Sequence, residues 1–295
     1  MPGLKPSAQN RLSLAVSVAL TLGCFFVRVG FSSEAIKQTE TVIAPTEFQR
    51  IYFSYFGMYQ GPGVANPGGR GAIDSSSLTY ENGEQNLQSQ FKLDYFLTPQ
   101  IFVGAVLNFQ LNPLGGVPAQ MLDSGFRIGH QRLVHTDNFN LMADVRLTGP
   151  MKPDNIRNNE LVDFQSLQVL TYNIPKTNFT LGMVGFHTLQ IYGSSLRVLS
   201  SNDPGAAKDW NLFFGPYASY HLSQSLSALV SYDLHPYHRV GANWDTWAAD
   251  PTDIAPGISW DITGDINFQT QILMYPSKFG WNTMGTMAYL YWQII

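Results

Sequence analysis

Long runs of strict alternation constrain this chain more than any other feature of its sequence. Leu87, Ser89, Phe91, Leu93, Tyr95 and Leu97 interleave with Gln88, Gln90, Lys92, Asp94 and Phe96. After Thr98-Pro99-Gln100 the pattern resumes: Ile101, Val103, Ala105, Leu107, Phe109 and Leu111 fall on one side, and Gly104, Asn108, Gln110 and Asn112 on the other. Phe139 to Thr148, Leu226 to His235 and Ile266 to Met274 repeat it. A period of two over such lengths places each set on its own face of a strand.

Strand length then separates the classes. Soluble strands average ~5–6 residues. These runs are near or above the ~9–11 residues that cross a bilayer at a tilt. A soluble sandwich would need a second sheet over every greasy face, whereas a closed barrel in lipid has its outside covered by the solvent itself. Composition agrees. Charged residues are 13% of 295, about half the usual ~25%. Aromatics are abundant, with 14 Tyr, 19 Phe and 6 Trp. That excludes a disordered chain. Lys+Arg is 17 against 21 acidic residues, which argues against a nucleic-acid partner.

The N-terminus reads as a secretory leader. Lys5 and Arg11 precede an uncharged stretch, Leu12 to Val27, and small residues follow Arg28. Residues 1–35 are expected to be removed, after Ser32 or after Ala35, leaving 36–46 as a short periplasmic segment and 47–295 as one barrel domain. The only cysteine, Cys24, lies inside the apolar stretch, so the mature chain has no disulfide or thiolate chemistry.

The expected strands are 47–59, 86–97, 100–112, 122–134, 138–148, 161–174, 177–192, 209–222, 225–237, 253–262, 266–275 and 283–294. That makes twelve, with ten or fourteen open because 122–134 and 161–174 have a muddled phase. Short and long connections alternate. Tight periplasmic turns, longer extracellular loops, an even strand count and periplasmic termini are the expected layout.

On these features the chain resembles the Gram-negative outer-membrane β-barrel proteins over essentially the whole mature length. Phe214-Gly215-Pro216-Tyr217-Ala218-Ser219-Tyr220 before a short polar turn is similar to a barrel hairpin. The last strand, Met287 to Ile295, is similar to the terminal assembly signal of the class, although it ends in Ile rather than Phe. The resemblance implies an all-β, antiparallel up-and-down transmembrane barrel in the outer membrane. It further implies contact with outer-membrane lipid and recognition of the C-terminal strand by the barrel assembly machinery. It is a resemblance of architecture, which leaves function to be argued from the site.

There is no P-loop, HExxH, EF-hand spacing or GxSxG. No catalytic residue, metal ligand or cofactor is expected. The polar faces supply the candidates. Arg50, Gln88, Gln90, Lys92, Asp94, Asn108, Gln110, Arg127, Asp144, Arg146, Asp163, Asp233, Asp261, Gln269 and Gln271 fall on the expected lumen side. They would either line a pore and filter solutes by charge, or pair and plug a narrow barrel. Lys92 with Asp94, and Asp144 with Arg146, lie two apart and invite pairing. Phe96 and Phe102 narrow the same face. His235, His238, Arg239, Trp244 and Trp247 are expected at the extracellular mouth, as ligand-binding groups or as the aromatic rim that barrels need.

His130 and His187 fall on the lipid side by strict alternation, unless a bulge shifts the phase. One class of outer-membrane phospholipases keeps a His–Ser pair there, but the sequence offers no evident Ser and Asn partners at matching height. The Gly/Pro-rich loop 60–85 reads as turns, either a surface recognition loop or an inward constriction. The resulting expectation is a narrow passive pore for small polar solutes. The alternatives are a closed barrel that binds a partner through its loops and, less favoured, a lipid hydrolase.

Overall fold

A computed structural model of the chain describes residues 50–65, 71–74, 79–111, 119–193 and 207–295. The expected leader and the segment 36–46 lie outside the described residues.

Period-two segments can hide every backbone group only by pairing on both sides, and the chain does this by closing on itself. Twelve antiparallel strands form one closed barrel. They are β1 (Ile51–Gln60), β4 (Asn86–Phe96), β5 (Ile101–Leu111), β6 (Gln120–Thr136), β7 (Phe139–Gly149), β8 (Glu160–Asn173), β9 (Phe179–Tyr192), β10 (Lys208–His221), β11 (Leu226–Arg239), β12 (Trp247–Asp261), β13 (Ile266–Leu273) and β14 (Gly285–Gln293). Each pairs with its sequence neighbours, and β14 closes the ring on β1, with Tyr55 opposite Trp292 and Met58 opposite Tyr289.

Five short connections sit at one end of the barrel, together with the start of β1 and the end of β14. Three of these turns use the same device. The hydroxyls of Thr98, Ser223 and Thr263 each accept hydrogen bonds from two following backbone amides, a local turn that Ser and Thr favour. The longer connections lie at the other end. The expected loop 60–85 is more ordered than its Gly and Pro content suggests. It contains a two-stranded hairpin, β2 (Gly71–Asp74) and β3 (Thr79–Glu84). The connection before β8 contains one helical turn, α1 (Pro153–Arg157).

The two strands with muddled phase owe it to β-bulges. In β6 the register slips where Val106 and Asn108 of β5 face it, and again between His130 and Val134. In β8 it slips between Glu160 and Val162. The slips beside Val106–Asn108 and at Glu160–Val162 each insert one residue and reverse the facing beyond it, and the slip between His130 and Val134 inserts two, so simple alternation cannot track them.

The outward face is apolar. Phe126 is 73% exposed, and Leu93, Leu107, Ile128, Val145, Leu147, Leu181, Val230, Ile258 and Ile272 are exposed with it. An apolar surface of that extent is a lipid-facing belt, not a water-facing one. Tyr95, Phe179, Tyr220, Trp260 and Trp292 flank it towards the short turns. Trp210, Trp244 and Trp247 flank it at the other end, with ring centroids 5.8 Å apart for the pairs made by Trp210. Two aromatic girdles of this kind mark the two membrane interfaces of a barrel.

Candidate functional site

The lumen divides into a wet half and a tight half. Towards the long loops, Gln88, Gln90, Asn108, Gln110, Gln165, Gln190 and Asn211 line a polar cavity of about 520 Å³. Neighbouring strands bring these amides together and bond them: Gln90 Nε2 donates to Asn108 Oδ1 at 2.7 Å, and Asn211 Nδ2 to Gln190 Oε1 at 3.2 Å. Lys152 and Lys208 stand in its wall, and Arg146 also lines it.

Arg146 ends a chain of four charges drawn from β4, β6 and β7. Arg127 donates from Nε to Asp94 Oδ1 at 2.9 Å and from Nη2 to Oδ2 at 3.0 Å, a bidentate pair. Its Nη1 reaches Asp144 Oδ2 at 3.2 Å. Arg146 then grips Asp144 with Nε at 2.8 Å and Nη2 at 2.9 Å. All four residues are buried. Charges hidden to this degree persist only when paired and hydrogen-bonded, and here two positive and two negative groups balance. The Asp144–Arg146 pairing expected from sequence is present. Asp94 is bridged to β7 through Arg127 of β6.

Aromatic rings fill the space below. Arg127 stacks on Phe102 at 4.5 Å. Phe102 meets Phe96 at 5.5 Å, and Phe96 meets Tyr52 at 4.8 Å. Phe102 has 0% exposure. It lies over Gly129, where an added Cβ would come within 2.3 Å of the ring. On the other side Tyr217 leans over Gly182 in the same way, at 2.3 Å. Farther round the wall, Asp233 stands directly opposite Asp253, with His235 Nε2 at 4.0 Å from Asp253 Oδ2. Gln271 donates to Ser231 Oγ at 3.3 Å and to Ala255 O at 3.0 Å. Asp261, with Asn267 at 2.9 Å, lies near the short-turn end. Gln269 shares the lumen register opposite Ser259 and Tyr289.

Some expected positions differ. Arg50 is exposed at the rim, where its Nη1 donates to Tyr95, a residue of the outward face, at 3.1 Å. The group expected at the mouth is split. His235 shares the lumen register, its ring 5.0 Å from Phe213. His238 and Trp247 pair on the opposite, outward register. His238 is enclosed by Trp244 and Trp247, with Nδ1 2.6 Å from Asp209 Oδ1 and Nε2 3.0 Å from the carbonyl of Asn243. Arg239 ends β11 and donates to the Tyr237 hydroxyl at 3.0 Å.

His130 and His187 do face outward. The bulge in β6 begins just after His130, whose Nδ1 accepts from the Arg132 amide at 3.1 Å. Ser166 of β8, not evident as a partner from sequence, lies directly opposite His187. Its hydroxyl accepts a hydrogen bond from Gln168, and His187 packs edge-on against Phe214 at 5.7 Å. Among the described residues no hydrogen bond joins Ser166 to His187, so the linkage that activates a serine nucleophile is not formed.

No family model matches the chain, and no curated protein matches it. The similarity is structural. An outer membrane channel from Pseudomonas putida F1 superposes with a TM-score of 0.52 at 11% identity, covering 84% of this chain and 97% of that one. The NanC porin gives 0.45 at 12% identity, covering 81% and 97%. Salmonella typhi OmpF in complex with daunomycin gives 0.37 at 9%, covering 83% and 97%. The chain has the fold of an outer-membrane β-barrel.

Proposed function

We propose that the protein is an integral outer-membrane barrel of a Gram-negative bacterium that passes small polar solutes through a narrow lumen, driven by their gradients. The observation that carries this reading is an amide-lined cavity of about 520 Å³ set inside a barrel with an apolar exterior. A barrel built only to anchor loops has no need of a wet half-lumen. The similarity to a protein described as an outer membrane channel supports it. In this orientation the short turns, the start of β1 and the end of β14 are periplasmic, and β14 is the segment offered to the assembly machinery.

A solute entering the cavity meets Lys152, Lys208 and Arg146 in its wall. It then passes a wall carrying both signs of charge, which favours zwitterionic and hydrogen-bonding solutes over bulky apolar ones. No group in the lumen is required to do chemistry.

The closed-barrel reading rests on one specific observation, the fully buried Phe102 beneath the ion-paired wall. Liposome swelling separates the two. The pore reading predicts faster entry of small sugars and amino acids than of larger homologues. Uptake equal to that of protein-free liposomes, from correctly folded barrels, favours the closed one.

A further inference from the structure

We propose that Asp123, Glu160 and Asp163 form a binding site for a divalent cation, with calcium the best fit, where the β7–β8 connection meets the lumen wall. Ligand oxygens of the three carboxylates all lie within 4.8 Å of one another. Proximity of acids alone would mean little, but two further observations point to a ligand.

The first is an unsatisfied atom. Asp163 is 2% exposed, and its Oδ1 is buried without a hydrogen-bond partner. A buried carboxylate oxygen left bare is costly, and a cation removes that cost. The second is the way the acids converge. Asp163 reaches the site by ordinary alternation on β8. Glu160 reaches it because the bulge between Glu160 and Val162 turns Leu161 outward, where it is 56% exposed, and Glu160 inward, where it is 4% exposed. Asp123 lies in the β6 bulge between Leu122 and Gly125. Two separate bulges therefore aim carboxylates at one point, the kind of local re-aiming that bulges provide beside functional sites.

The hydrogen-bond donors around the three acids are neutral amides. Asp123 accepts from the amides of Met151 and Lys152 at 2.7 and 3.2 Å, and from Asn155 of α1. Glu160 accepts from Gln190 Nε2 at 3.0 Å and from Asn155 Nδ2 at 3.4 Å. Lys152 is close enough for its charge to act on Glu160. Among the described residues, however, no Lys, Arg or His makes an ion pair with any of the three. A set of three carboxylates with amide neighbours and no His or Cys is hard-oxygen chemistry, which suits calcium or magnesium rather than zinc or copper. Calcium accepts the flexible, carboxylate-rich geometry more readily than magnesium, which demands a near-ideal octahedron. A cation here would tie α1 and the start of β8 to β6.

The test uses the refolded chain in detergent, free of lipopolysaccharide and stripped with EDTA. Calcium chloride is added against a potassium chloride control of equal ionic strength, and the heat-unfolding midpoint is read. The wild type is expected to gain more than about 2 °C with calcium and less with magnesium. Asp163→Asn and Asp123→Asn are each expected to be at least as stable as wild type in EDTA, because like charge is removed, and to lose the calcium response. An unchanged wild-type midpoint, or an equal shift in wild type and both variants, overturns the proposal. Terbium luminescence on the wild type decides without any variant: emission sensitised by Tyr192, which lies opposite Glu160, and displaced by calcium supports the site, and its absence overturns it.

Discussion

Asp144 holds the centre of the charged wall. It is 1% exposed and receives three hydrogen bonds, one from Arg127 and two from Arg146. Removing its charge takes from Arg146 the carboxylate it is paired with and leaves Arg127 with Asp94. Breaking a buried pair by deleting one partner costs about 3–5 kcal/mol. Asp144→Asn is therefore expected to lower the urea midpoint of the refolded protein while leaving the barrel able to form. It also leaves an uncompensated positive charge beside the cavity. In a confined lumen one charge counts for more than at an open surface, so reversal potentials under a salt gradient should shift towards anion preference. An unchanged midpoint and an unchanged reversal potential would show that the four-charge chain is not held as described. Asp94→Asn should act in the same direction, because it strips Arg127 of its bidentate partner.

At the scale of the strand, facing decides tolerance. Leu107 is 45% exposed on the outward face, and Phe91 lies on that face between Phe53 and Phe109, at 5.5 and 5.8 Å. Gln90, one residue from Phe91, points into the cavity. An arginine facing the middle of the bilayer costs ~2–4 kcal/mol, and one facing the wet lumen costs little. Leu107→Arg and Phe91→Arg are thus expected to reduce folding into lipid vesicles strongly, and Gln90→Arg to fold normally. Equal losses in all three would contradict the strand facings.

The same scale explains how much is legible in the sequence. β4, β5, β7, β11 and β13 keep period two, so their facings follow from spacing alone. The alternation of short and long connections then orders the strands around the ring. β6 and β8 stay unclear because their bulges add one or two residues, and an insertion breaks the periodic signal that would reveal it. Asp123 and Glu160 escape notice as a pair for this reason. Spacing does put Arg127 on the lumen face, but its bond to Asp94 depends on β6 lying two strands from β4. That is a relation of register, not of spacing. His238 and Trp247 take up the rim reading of the two that the sequence left open: His238 keeps the outward register of β11 and pairs with Trp247.

For the molecule as a whole, closure is the property that governs the others. β14 pairs with β1 along seven residues, so the ladder has no free edge. A closed ladder resists detergent until heated, and unboiled refolded protein is expected to migrate differently from boiled protein on a detergent gel. Identical mobility would contradict closure. Within that closed wall the central claim is an incompletely filled lumen: a polar cavity at one end and a charged, aromatic constriction beneath it. The most direct measurement is conductance of the refolded, heat-modifiable protein in a planar bilayer. Small, uniform current steps that scale with salt are expected, well below those of wide porins, together with a change in ion preference on Asp144→Asn. A heat-modifiable barrel that inserts and carries no current at any salt concentration would contradict the open lumen, and would mark the charged wall and Phe102 as a plug.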